Sequence, residues 1–182
     1  MNHELLLKIA RDAIHEELSG KSIIDKVSLL RDSPTIFEKG AAFVTLNKNR
    51  DLRGCIGSLV AHRSLLDDLI ANAKAAAFDD VRFLPLSKEE LEEVKIEISL
   101  LSTPKLLQYS SIEDLRGKIR AFKDGVILRH QNKQATFLPQ VWEQLTEFKI
   151  FFSHLGQKAG LGADVLKLHP EIFTYEVESF SE

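Results

Sequence analysis

Over the first 18 positions apolar residues recur every three or four places, at Leu6, Ile9, Ala10, Ala13, Ile14 and Leu18, which predicts an amphipathic helix. Ser19-Gly20 supplies its stop. From Lys21 to Gly40 the pattern weakens, and Ser33-Pro34 predicts a turn or extended passage. Ala41 to Leu46 reads as a strand, Asn47 to Asp51 as a polar loop, and Leu52 to Val60 as the hairpin partner. Ser64 and Asp67 give a capping-box-like start to a clearer helix reaching Phe78. Leu65, Leu66, Leu69, Ile70, Ala73, Ala76 and Ala77 form its stripe, and the small alanines imply close packing on a sheet. Asn72 lies off the stripe, which predicts a solvated amide.

Val94 to Ser102 is the cleanest strand, with Val94, Ile96, Ile98 and Leu100 facing a core and Lys95, Glu97 and Ser99 facing water. Val126 to Leu128 and Ala135 to Leu138 predict a second hairpin, ended by Pro139. Phe148, Phe151, Phe152, Leu155 and Ala159 line a helix capped by Gly160, and Ile172 to Val177 reads as a last strand. Strands outnumber strong helices and do not alternate regularly with them. The expected fold is α+β, with helices packed on a mostly antiparallel sheet in a single domain over residues 1–182.

Composition narrows the function classes. The 182 residues are 44% hydrophobic and 28% charged, with a formal net charge of −3, so no overall basic field recruits nucleic acid. No stretch approaches the roughly 20 apolar residues that span a bilayer. The charged start Met1-Asn2-His3-Glu4 does not read as a signal peptide, so a cytoplasmic location without membrane contact is expected. One cysteine rules out an intrachain disulfide and a cysteine-based zinc cluster, and the six histidines show no ligand spacing. Dinucleotide, phosphate-loop, zincin and nucleophile-elbow motifs are missing, so neither a metal nor a cofactor is expected. The paired carboxylates Asp67-Asp68, Asp79-Asp80 and Glu89-Glu90 read as solvated charge.

The candidate chemistry lies in Arg53-Gly54-Cys55-Ile56-Gly57-Ser58, which holds the single cysteine. In an extended segment Leu52, Gly54, Ile56 and Ser58 share one face, while Arg53, Cys55 and Gly57 share the other. The thiol then lies beside a guanidinium, with no side chain at Gly57 to cover it. A buried structural cysteine is the competing reading. Arg82, just beyond the alanine-rich helix, can approach the same strand. Two guanidiniums by a thiol suit an anionic ligand, whereas local pairing with Asp51 and Asp80 would make them structural. Gln140 follows Pro139 and either satisfies loop backbone or borders the pocket. Trp142 should pack on Phe148 or Phe151.

These segments also carry a resemblance. Leu52 to Leu59, Asn72-Ala73-Lys74-Ala75-Ala76-Ala77-Phe78, Arg82-Phe83, Pro85-Leu86 and Ile96 to Ser102 occur in order. They are followed by Gly125 to Leu128, Ala135 to Trp142 and Lys158 to Leu161, and together they resemble the AMMECR domain family over nearly the whole chain. One departure is Val81, where the family usually has proline. The resemblance implies a larger mixed lobe carrying both termini plus a smaller lobe, and it strengthens a site role for Asn72. It further implies a Memo-like protein and a radical S-adenosylmethionine enzyme as partners. Lacking three cysteines, this chain would not hold that enzyme's cluster itself. Two functions follow: an accessory protein presenting the Arg53–Cys55 surface to a partner or anionic ligand, or an enzyme using Cys55 on an anionic small molecule.

Overall fold

The amphipathic first segment forms helix α1 (His3–Ser19) in the computed structural model, which describes residues 2–182. The Asn2 side chain accepts from the Leu5 N–H at its start, and Gly20 ends it at φ +67°. Two units are distinguished: one runs to Leu101 and regains Glu178–Glu182, the other spans Ser102–Val177.

In the first unit, strands β1 (Ala41–Lys48), β2 (Asp51–Gly57), β3 (Val94–Leu101) and β8 (Val177–Ser181) form a sheet in the order β2-β1-β3-β8. β1 pairs antiparallel with both β2 and β3. α1 and α3 (Leu65–Phe78) supply one core with the sheet, through Leu6, Ile14, Leu66, Leu69, Val44 and Ile98. The expected alanine contact is close. A Cβ on Gly54 would lie 2.1 Å from the Ala76 carbonyl oxygen, so strand and helix touch main chain to main chain.

The second unit holds β4 (Lys105–Leu107), α5 (Ile112–Lys118), β5 (Gly125–His130), β6 (Lys133–Phe137), α6 (Val141–Gln144), α7 (Phe148–Lys158) and β7 (Glu171–Tyr175). Its sheet is ordered β4-β7-β5-β6 and is antiparallel throughout. Trp142 stacks on Phe151 with ring centroids 3.6 Å apart, and its Nε1 donates to the Asp124 carbonyl. The fold is therefore α+β, with two antiparallel sheets and seven α-helices among the described residues.

Several boundaries differ from expectation. The polar loop is a two-residue turn at Asn49 and Arg50, both at positive φ, the twist that suits a tight hairpin. β2 stops at Gly57 rather than Val60. Four short helices were not expected from periodicity: α2 (Lys26–Asp32), α4 (Lys88–Glu93), α5 and α6. Among the described residues no helix is long and apolar enough to cross a membrane.

Candidate functional site

Two polar clusters flank α3, and they divide the expected site residues between them. The first is built on the outer edge of β2, the terminal strand of its sheet. Cys55 is partly exposed, and the Thr45 hydroxyl, directly across on β1, lies 3.3 Å from its Sγ. The Cys55 main chain points away from β1. Its N–H donates to Asp80 Oδ2 at 2.9 Å, and its carbonyl accepts from Arg82 Nη2 at 3.4 Å. Arg82 also donates to Asp80 through Nε at 2.9 Å and Nη2 at 2.7 Å. Asp80 is only 5% exposed, and the adjoining Arg82 guanidinium holds its carboxyl well below the usual carboxylate range.

Arg53 lies two residues along the same edge. It donates from Nε and Nη2 to the two oxygens of Glu90 on α4 at 3.1 and 2.9 Å, and from Nη2 to the Leu84 carbonyl at 2.9 Å. Its Nη1 is buried without a hydrogen bond, with the guanidinium carbon 5.7 Å from the centre of the Phe83 ring. The Arg53 hydrogen bond lowers the Glu90 carboxyl to about 2. Lys48 reaches Glu90 at 3.4 Å and Glu93 at 3.0 Å. Each guanidinium thus has a carboxylate. Arg82 takes the local aspartate that the sequence offered, whereas Arg53 takes Glu90 instead of Asp51.

The second cluster centres on Asp68, in the first turn of α3 and 1% exposed. Its carboxylate accepts from the Ser58 hydroxyl (2.6 Å), Arg63 Nε (2.9 Å), the Ala42 N–H on β1 (3.0 Å) and Asn72 Nδ2 (3.0 Å). Asn72 Nδ2 also lies 3.0 Å from the Ala42 carbonyl and 3.2 Å from Ser58 Oγ, so its two protons serve three acceptors. Asn72 is buried at 4% exposure, which corrects the expected solvated amide: the sheet reaches beyond the apolar stripe of α3 and covers the amide too. Nor is Asp68 solvated charge; its burial is balanced by four donors.

The remaining expected residues serve packing or lie elsewhere. Gly54 is buried under α3, and Ile56 packs against the first core. Gly57 does not leave the thiol's face open, because the Phe43 ring fills the space its side chain would take. Leu52, expected to face the core, is exposed at the strand's start. Gln140 belongs to the second unit, exposed at the N-terminal end of α6. Sequence reasoning did not single out Thr45, Asp68, Asp80 or Glu90 as site residues. The readable signals were the Asp80-Val81-Arg82 spacing and the Ser87–Glu90 capping box, which fixes the helix carrying Glu90.

A family model described as AMMECR1 matches residues 7–180. A protein of Methanothermobacter thermautotrophicus is 36% identical over 181 residues, covering 97% of this chain and 92% of its own. One from Methanopyrus kandleri is 36% identical over 189 residues, covering 98% and 87%. The crystal structure of an uncharacterised protein from Pyrococcus horikoshii superposes with a TM-score of 0.78 at 34% identity, covering 98% of this chain and 90% of that one.

Proposed function

The chain belongs to the AMMECR1 family, and from that premise we propose that it is an accessory protein whose recognition surface is the β2 edge around Arg53, Cys55 and Arg82. The family resemblance suggests a Memo-like protein and a radical S-adenosylmethionine enzyme as partners. One observation carries the reading. Both guanidiniums near the thiol are locked to carboxylates and to main-chain carbonyls, so the edge is a shaped, rigid surface. Arg82 remains half exposed and offers an acidic or anionic partner its free side. Val81 and Leu84 stand out from the same turn at 99% and 83% exposure, adding apolar contact area beside the charge.

The second reading, a cysteine-dependent enzyme acting on an anionic small molecule, rests on the partly exposed thiol and its hydroxyl neighbour. Co-purification with the two partners separates the readings. Arg82→Ala should weaken capture at least tenfold, while Cys55→Ser should leave it unchanged, each variant first matched to wild type in melting and mass. Intact capture by Cys55→Ser with loss of the in-cell phenotype makes the enzyme reading the better one.

A further inference from the structure

β2 ends its sheet, so alternate main-chain groups on it face away from β1. At Cys55 both outward groups are taken, and by side chains rather than by a strand. Asp80 supplies an acceptor to the N–H, and Arg82 supplies a donor to the carbonyl. That is the complement a neighbouring strand would supply to the same residue. The pair is also tied to itself by three further bonds, from Arg82 N, Nε and Nη2 to the Asp80 carboxylate. A chain turn with Phe83 N–H on the Asp80 carbonyl, and Leu86 N–H on the Ala77 carbonyl, keeps it beside the edge.

Independently of the recognition role above, we propose that Asp80 and Arg82 are an edge guard, holding the positions where a second copy of this chain would add its own β2. The self-pairing occupant follows from the pattern. An antiparallel pair centred on Cys55 places that residue opposite its own counterpart, and each then gives one N–H and takes one through its carbonyl. Uncovered strand edges are templates for such pairing, and charged side chains or covering loops are the usual protection. A hydrogen-bonded antiparallel pair sets the two Cα atoms about 5.5 Å apart. That lies inside the roughly 4.4–6.8 Å range that a disulfide spans, so Cys55 becomes a built-in reporter.

The test compares wild type with Asp80→Ala/Arg82→Ala and with Arg82→Ala alone, by sedimentation velocity over a hundredfold concentration range. The same samples are treated with diamide, which takes up the two electrons and two protons released when two thiols join. The double variant should show a concentration-dependent doubling of mass absent from wild type, and a Cys55 cross-link formed at least fivefold faster. Arg82→Ala should show the same in weaker form, which keeps the test decisive if the double variant does not fold. Adding Cys55→Ser should remove the cross-link and leave the mass doubling. Folded variants that keep the wild-type mass and cross-linking rate overturn the proposal. So does association that disappears with Cys55→Ser, or with Val81→Ser/Leu84→Ser, since pairing would then run through the thiol alone or through the apolar tip of the turn.

Discussion

Asp68 and Asp80 stand at opposite ends of α3, and each takes a main-chain N–H from a strand and a guanidinium from an arginine. The resemblance stops there. Asp68 gathers donors from β1, from Ser58 and Arg63 at the two ends of the connection between β2 and α3, and from its own helix, so separate stretches of chain meet on one carboxylate. Asp80 reaches one strand, and its other donors all come from Arg82 two residues away. The first is a closed pin through the core. The second is a clasp on an edge, with its arginine half in water. The same residue type therefore stabilises the fold in one place and fixes the shape of a surface in the other.

The largest expected effect is from Asp68→Ala, which strands the Ala42 N–H in the core and takes the acceptor from the Ser58 hydroxyl and Arg63 Nε. It should lower unfolding stability by about 3 kcal/mol, read from the urea midpoint at unchanged slope. Asn72→Ala in the same background should add less than its separate cost, because the two share one network. Asp80→Ala should cost less than half as much as Asp68→Ala, since water can reach the edge it leaves. An equal loss would erase the distinction between pin and clasp. Combining the two aspartate variants should be additive within about 0.5 kcal/mol.

Acid titration sharpens the edge side of the comparison. Arg82 lowers the Asp80 carboxyl, and Arg53 lowers that of Glu90 to about 2. Carboxylates held down in the folded state stabilise it above their ordinary values, and that stability is lost as pH falls toward the folded values. Wild-type stability should thus decline from about pH 4.5 toward pH 2, and Glu90→Gln should flatten part of that decline in a series of melts. The smallest effect is expected from Thr45→Val, which removes one hydroxyl contact to the thiol on a partly exposed strand. It should change stability by less than about 1 kcal/mol in the same melts.

Period and punctuation made the backbone of the fold legible. α1, α3 and β3 bury many apolar side chains at a clean spacing, and Gly20 and Gly160 take the left-handed φ that helix ends need. α2 escaped notice because it is seven residues long and buries none of them. The strand segment around Cys55 was legible as a face pattern, since Gly54 goes under the helix while Arg53 and Cys55 turn away. The carboxylates were not. Asp67-Asp68, Asp79-Asp80 and Glu89-Glu90 each look like one stretch of charge, yet the second member of each pair is drawn into the fold while the first stays at the surface. Asp68 and Asp80 are buried and Glu90 holds Arg53, whereas Asp67, Asp79 and Glu89 face solvent. On a helix, neighbours diverge by about 100°, and which one meets a strand depends on the tertiary fold.

The contact between Gly54 and the Ala76 carbonyl has a mechanical consequence. Where side chains separate two elements, rotamer changes can absorb a displacement. Here main chain bears on main chain, like a shaft on its seat, and nothing compliant lies between the last turn of α3 and the residue before Cys55. A displacement of that helix end meets the strand with no side chain between them to take it up, which ties the position of Cys55 to the seating of α3.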